Sequence, residues 1–177
     1  RADFYKVLEE IESTFSIKVT PIYLPIGSER DFIGVIDLIK LKANLYKNDS
    51  SGSFKEGEIP DSMAEIVDKW RENMVENIVE ANDDIMEKYL DGQELTPKEI
   101  EDTFIEGMES GTVVPVIPGS ATLNIGVKQL VDIIDQSVPF PIERGKVKGH
   151  KPDSQEEVEF DAVDDAPFSA LIFKTLA

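Results

Sequence analysis

Apolar residues recur at three- and four-residue intervals in four segments of the chain, and this spacing predicts amphipathic helices. The segments cover about residues 3–15, 62–91, 96–111 and 125–136. The second segment is long enough for one helix, or for two helices joined near Asn82. Helices therefore make up a large part of the predicted fold.

Two of these segments begin with residues that favour a capping box. Ser62 is followed three residues later by Glu65, and Thr96 is followed by Glu99, with Pro97 at the first helical position. In a capping box the hydroxyl and the carboxylate each accept a hydrogen bond from a free backbone N–H of the first turn. We expect a helix to start at each point.

The last predicted helix carries apolar side chains on one side. The residues of this side are Val127, Leu130, Val131 and Ile134.

Other segments favour extended structure. Residues 18–26, 32–38 and 40–47 are rich in β-branched and aromatic residues and predict strands, whereas 48–57 is polar and predicts a loop. Residues 112–117 are almost all apolar, which is typical of a strand buried on both faces.

The carboxyl-terminal part differs from the rest. Residues 142–166 are charged and rich in turn formers, so we interpret them as a linker. Residues 168–177 predict an apolar strand, and such a strand at a terminus promotes aggregation unless it is paired. We therefore expect the chain to be a segment of a longer protein, with this strand poorly ordered or paired to a sheet edge.

Charge and composition exclude several kinds of function. Lys and Arg number 18 against 36 Asp and Glu, giving a net charge of −18, which disfavours direct nucleic-acid binding but permits a basic protein partner. Cysteine is absent, which excludes disulfides and thiolate sites and fits a reducing, cytoplasmic location. The sequence has no apolar stretch of the length that a membrane span requires.

Catalytic and metal-binding patterns are absent from the sequence. The only histidine, His150, lies in the predicted linker, and neither a GxxxxGK[ST] nor a GxGxxG phosphate-binding pattern occurs. We therefore predict no catalytic residue and no metal ligand in this chain.

One turn in the sequence is a candidate ligand-binding site. Gly119, Ser120 and Ala121 follow the apolar strand and precede a helix. Ligands of open α/β sheets bind at such carboxyl ends of strands, and the small side chains leave backbone N–H groups accessible to a flat heterocycle. The same pattern is also common in plain turns.

A row of carboxylates is the second candidate surface. In the predicted long helix they recur at four-residue spacing and form what we call the acidic ridge: Asp68, Glu72, Glu76, Glu80 and Asp84. Like charges at this spacing destabilise a helix by about 0.2–0.5 kcal/mol per pair. The ridge is either a solvated helix face or a docking surface for a basic partner.

Five segments resemble landmarks of the elongation factor G family, in that family's order and at nearly its spacing. VVPVIPGSATLNIGV at 113–127 is similar to the family's last guanine-recognition segment, in which a Gly-Ser-Ala turn contacts the base. The others resemble the helix after the family's NKxD motif, its FxGVVDL strand, its MEKYL helix end and the start of its barrel domain. They are ADFYKV at 2–7, FIGVIDL at 32–38, DIMEKYL at 84–90 and PFSAL at 167–171.

The resemblance implies an α/β fold class with an α+β insert, as part of a P-loop-type G domain. The implied domains are 1–16 as a G-domain helix, 17–110 as a helical-and-sheet inserted subdomain, 111–141 as the last G-domain strand and helix, 142–166 as a linker, and 167–177 as the first strand of a truncated barrel domain. The phosphate-binding loop, the switches and NKxD would precede residue 1.

The resemblance also implies functional assignments. Gly119, Ser120 and Ala121 would contact guanine, although Pro118 departs from the small residue or cysteine expected before this turn. The full-length parent would use GTP or GDP with Mg²⁺ on the ribosome, and the inserted subdomain would touch the ribosomal stalk protein. This chain alone would bind no nucleotide usefully and would not hydrolyse GTP.

Two alternatives share some of these features. The acidic helix and the Gly-Ser-Ala turn also resemble those of tetracycline ribosomal-protection factors. FIGVIDL at 32–38 favours elongation factor G instead. A stand-alone acidic interaction module would need neither a nucleotide site nor a parent GTPase.

Overall fold

The computed structural model describes residues 2–138, 140, 142, 145–151, 154, 156–168, 170 and 172–175. The chain divides into two compact units, residues 1–138 and residues 139–177. The first unit contains both candidate surfaces.

The described residues of the first unit form five α-helices: α1 Phe4–Phe15, α2 Ala64–Val79, α3 Asp83–Leu90, α4 Pro97–Ser110 and α5 Val127–Ser137. The break between α2 and α3 shows that the long periodic segment forms two helices. Asn82 begins the second of them, because its side chain accepts hydrogen bonds from the amides of Asp84 and Ile85.

The first unit also has six strands, β1 Thr20–Pro21, β2 Tyr23–Ile26, β3 Gly34–Asp37, β4 Lys42–Tyr46, β5 Phe54–Gly57 and β6 Pro115–Val116. Strands β2 to β5 form a four-stranded antiparallel sheet in sequence order. Strands β1 and β6 form a separate parallel pair, with Thr20 opposite Pro115 and Pro21 opposite Val116. The mixed helix and sheet architecture confirms the expected α/β class.

The core lies between the antiparallel sheet and helices α2 and α4. Leu24 and Ile36 of the sheet, Leu38 just after β3, and Met74 of α2 are fully buried. Arg71 of α2 closes one edge of this core, since its guanidinium donates to the backbone carbonyls of Leu38 and Ile39 that follow β3.

The structure confirms one of the two predicted capping boxes and contradicts the other. The capping box at Thr96 is confirmed: the Thr96 side chain accepts from the Glu99 amide, and Glu99 accepts from the Thr96 amide. The box at Ser62 is wrong, because a 3₁₀ turn over Asp61–Met63 precedes α2 and Met63 takes the capping position without a side-chain hydrogen bond. Ser62 therefore lies inside the turn instead of capping the helix.

Two further predictions in this unit need correction. Residues 54–57, predicted as loop, form the edge strand β5. The predicted strand at 112–117 shortens to β6, and only Val113 of that segment is buried, so it is not enclosed on both faces. The apolar side of α5 is largely uncovered, since Leu130, Val131 and Ile134 are about half exposed.

The second unit contains a β-hairpin where the sequence predicted a linker. Strands β7 Val147–His150 and β8 Glu157–Phe160 pair antiparallel, with Val147 opposite Phe160. The described residues between 168 and 175 form no strand, and the other residues of the predicted terminal strand lie outside the described part of the chain. Within the described ranges, no helix is both long and apolar enough to cross a membrane.

Candidate functional site

The Gly-Ser-Ala turn lies in a compact loop between β6 and α5. Ser120 and Ile125 exchange two backbone hydrogen bonds, with N···O distances of 2.9 and 3.0 Å, and so close the loop at its base. A second turn inside it is held by the Asn124 amide, which donates to the Ala121 carbonyl at 3.3 Å. The tip therefore has a defined backbone shape before any ligand binds.

Two amide groups of this turn are free to bind a ligand. Gly119 and Ala121 are exposed, and neither of their amides donates a hydrogen bond to any of the residues that the structure describes. The intervening Ser120 amide is already used within the loop. The turn can thus offer backbone donors to a carbonyl or ring acceptor, and within Gly119, Ser120 and Ala121 no side chain is longer than a hydroxymethyl group.

Gly126 brings the two ends of this loop together. Its φ is +77°, and a Cβ atom there would lie 2.5 Å from the Pro118 carbonyl oxygen. Only glycine combines this left-handed conformation with such a close backbone approach. The start of α5 is therefore packed directly against the residue that enters the turn.

The β4–β5 hairpin supports the same loop from outside. The Tyr46 hydroxyl donates to the Gln129 side-chain oxygen at 2.5 Å and accepts from the Gly126 amide at 3.2 Å. The Asn124 side chain packs against Gly52, where an added Cβ would lie 2.4 Å from its amide nitrogen. Sequence reasoning missed these contacts, since a tyrosine at the end of a predicted strand carries no distinguishing signal.

The segment that leads into the turn is hydrogen-bonded to helix α4. The Val113 amide donates to the Gly107 carbonyl at 2.9 Å, and the Thr112 hydroxyl donates to the same oxygen at 3.3 Å. Gly107 has no side chain, and a Cβ there would lie 2.4 Å from Val113 Cγ2. Glycine thus allows the segment before β6 to lie against the helix.

The structure divides the acidic ridge. Asp68, Glu72 and Glu76 are exposed on α2 and form a continuous row. Glu80 caps the end of α2, and its carboxylate lies 2.7 Å from the Lys18 ammonium. Asp84 belongs to the first turn of α3, so the prediction of five carboxylates on one helix is wrong. The reason is that α2 ends at Val79 and a separate helix, α3, begins at Asp83.

Lys69 lies beside the row on α2, whereas two other nearby cations are bonded elsewhere. Arg71 is directed to backbone carbonyls at the sheet edge, and Lys88 lies 2.6 Å from Glu99 on α4. Tyr89 of α3 lies close enough to the row that burial, then Glu76 and Glu72, raise the pKa of its phenol. The ridge is therefore a surface of net negative charge bounded by one aromatic side chain.

Other titratable groups make no second site. The described residues contain no cluster of three His, Asp or Glu side chains that could hold a metal ion. Tyr23 has a raised pKa because it is buried and because Asp37 accepts its hydrogen bond. His150 is exposed in β7.

Comparisons with known proteins agree with the resemblance seen in the sequence. No family model matches the chain. The chain is 41% identical over 177 residues to elongation factor G of Aquifex pyrophilus, covering 99% of this chain and 25% of that protein. A crystal structure from Thermus thermophilus matches with a TM-score of 0.71 and 34% identity, covering 82% of this chain and 22% of that one. The chain spans about a quarter of the length of the curated relative that it matches, and it belongs to the elongation factor G family.

Proposed function

We propose that this chain is part of a ribosome-dependent translation GTPase, in which it forms the guanine-contacting wall of the nucleotide site and a surface for a protein partner. The observation that carries the proposal is the loop at 119–125, which presents two free backbone amides at the end of β6. A relative named elongation factor G, similar over the length of this chain, supports the same assignment over a ribosomal-protection factor or a stand-alone module.

The proposed domain arrangement explains why α1 and α5 have exposed apolar side chains. Residues 1–16 and 111–141 would belong to a G domain and 17–110 to its inserted subdomain. Phe15 at the end of α1 is 67% exposed, and the apolar side of α5 is about half exposed. Apolar faces of this kind usually mark a surface that is covered in the complete protein. The remainder of the G-domain sheet would cover both helices.

Nucleotide binding would require the full-length protein. The GTP or GDP phosphates and their Mg²⁺ ion have no binding pattern in this sequence, and the metal ion would supply charge neutralisation during phosphoryl transfer. The residues of this chain would hold only the base, by N–H donation at Ala121 and Gly119. Hydrolysis would therefore depend on segments outside these residues.

A steric variant tests the assignment of the turn. Ala121→Leu in the full-length factor adds bulk where the base would lie, and we expect GDP affinity to fall at least about tenfold, or about 1.4 kcal/mol. Ala64→Leu is the matched control, since Ala64 is also exposed and begins α2. Equal GDP affinity in both variants, measured by fluorescent-nucleotide titration, would show that guanine binds elsewhere.

The acidic ridge would dock a basic surface of the ribosome, such as one on the stalk protein. Three exposed carboxylates in a row cost helix stability, and two of the cations near them, Arg71 and Lys88, are bonded to other groups. Complementary charge of this kind accelerates association more than it changes final affinity. The ridge would therefore act on the rate at which the factor reaches the ribosome.

Charge removal tests the docking surface. Replacing three ridge residues by Gln should leave the fold intact and slow association with ribosomes, most strongly at low salt, because the Debye length falls to about 8 Å at 0.15 M. A control of equal charge change lies off the ridge. The ridge variant is Glu72→Gln, Glu76→Gln and Glu80→Gln, and the control is Glu9→Gln, Glu10→Gln and Glu109→Gln. Identical stopped-flow rates for both variants at two ionic strengths would make the ridge a solvated helix face.

A further inference from the structure

The hydroxyl of Tyr46 connects the antiparallel sheet to the loop that carries the free amides. It makes two hydrogen bonds, one to the Gly126 amide and one to the Gln129 side chain, and both partners lie at the start of α5. Gln129 is only 4% exposed, so its oxygen would be costly to leave without a donor. The hydroxyl thus fixes the point at which the loop joins the helix.

Covalent and hydrogen bonds connect Gly126 to the Gly-Ser-Ala turn. Gly126 follows Ile125, and Ile125 is joined to Ser120 by two backbone hydrogen bonds. Ser120 is bonded directly to Ala121, whose amide is free. A displacement at Gly126 would therefore move the donor groups by way of a short, hydrogen-bonded path.

The Tyr46 ring is itself held in place. It packs against Phe54 of β5 with a centroid separation of 5.1 Å, and it is half-buried at the end of β4. A second contact from the same hairpin reaches the loop, where Gly52 lies under the Asn124 amide. Two neighbouring points of one hairpin thus contact the second half of the loop, at Asn124 and Gly126.

We propose that Tyr46 is a positioning residue for nucleotide binding, and that the β4–β5 hairpin holds the loop at 119–126 in its binding-competent shape. The inference rests on the proposed function, because it assumes that guanine binds at this loop. Apparent affinity falls in proportion to the fraction of molecules in the competent shape. Loosening the loop should therefore weaken nucleotide binding without removing any group that touches the ligand.

The test compares two tyrosines of the same sheet in the full-length factor. Tyr46→Phe removes the hydroxyl that holds the loop. Tyr23→Phe removes a half-buried hydroxyl beside Asp37, for which the structure describes no hydrogen bond to the loop. We expect Tyr46→Phe to weaken GDP binding about 3- to 10-fold, about the contribution of one of the two hydrogen bonds that it loses, and Tyr23→Phe to leave it unchanged.

A pair of glycine variants gives an independent measurement. Gly52 and Gly92 have nearly the same φ, +74° and +73°, so alanine strains the backbone equally at both. At Gly52 the new methyl group meets Asn124, whereas at Gly92 it meets open space. Gly52→Ala should therefore weaken GDP binding relative to Gly92→Ala, which supports the inference even if Tyr46→Phe fails to fold.

The outcomes separate the inference from the function beneath it. Unchanged GDP affinity in Tyr46→Phe and Gly52→Ala, with wild-type binding intact, would overturn the positioning role and leave the guanine assignment standing. A wild-type factor that binds no guanine nucleotide would overturn both. Weaker GDP binding in Tyr46→Phe but not in Tyr23→Phe, with the same thermal midpoint for both variants, would establish the positioning role.

Discussion

Gly107 lies inside α4, where alanine would ordinarily increase stability. An alanine in a helix interior is favoured over glycine by about 0.8–1.0 kcal/mol. At Gly107, however, the new Cβ would lie 2.4 Å from Val113 Cγ2, 3.0 Å from Val113 Cβ and 3.2 Å from Ala81 Cβ. Carbon atoms in optimal contact are about 3.5–4.0 Å apart, so the added methyl group overlaps its neighbours.

The overlap should outweigh the helix preference. Extra methyl groups in a well-packed core cost about 1–3 kcal/mol, and Val113 is only 3% exposed and has little room to move. We therefore expect Gly107→Ala to lower the free energy of unfolding by about 1 kcal/mol net. The strain would fall on the segment that leads into β6 and the turn.

A double-mutant cycle isolates the overlap. Val113→Ala alone should cost about 1.6 kcal/mol for two lost carbons, plus a cavity term. In the double variant the closest overlapping atom, Val113 Cγ2, is gone, so the two changes should cost less than their sum by about 1.5 kcal/mol. Urea unfolding followed by the fluorescence of Trp70, the only tryptophan, measures all four proteins. A stabilised Gly107→Ala, or additive energies, would refute the packing argument.

Three other changes follow from single contacts in the first unit. Thr96→Ala should lower the unfolding free energy by about 1 kcal/mol, because α4 loses its cap. Hydrogen bonds from Lys88 and from the Thr96 amide and hydroxyl hold the pKa of Glu99 down to about 2, below its ordinary 4.5, so its contribution is complete above pH 4.5 and is lost as pH falls toward about 2. The stability difference between wild type and Glu99→Gln should therefore shrink between about pH 6 and about pH 3 in urea titrations. Arg71→Met should cost about 1–3 kcal/mol, since two backbone carbonyls lose their donor, while Lys69→Met, at an exposed position, should change the unfolding midpoint little.

Local sequence signals predicted the helices well where the capping chemistry was complete. Thr96, Pro97 and Glu99 specify the start of α4 by themselves, and the structure contains every expected bond. Ser62 and Glu65 have the same spacing, but Pro60 precedes a 3₁₀ turn that moves the helix start to Ala64. A short pattern cannot distinguish these two outcomes.

Strand edges and helix faces were harder to predict, because both depend on distant parts of the chain. Phe54–Gly57 forms β5 through its pairing with β4, although its own residues Phe-Lys-Glu-Gly are mostly polar. The buried side of α5 carries Gln129, held by Tyr46 from a strand 83 residues away. An apolar pattern locates a helix but does not choose between a core and a surface that another segment would cover.

The candidate turn was found from its sequence, whereas its support was not. Gly119, Ser120 and Ala121 have a recognisable pattern, but the contacts of Tyr46 and Gly52 arise only when the antiparallel sheet packs beside the loop. The acidic ridge shows the reverse case. Its spacing was clear in the sequence, and the break at Asn82 then shortened it.

Amide hydrogen exchange at Ala121 tests the central claim most directly. The Ala121 amide is exposed and donates to no described residue, so it should exchange rapidly in the full-length factor without nucleotide. Saturating GDP should slow its exchange strongly if the base accepts its hydrogen bond, while an exposed amide of the second unit stays unchanged. Bound GDP with no change at Gly119 or Ala121 would contradict the account.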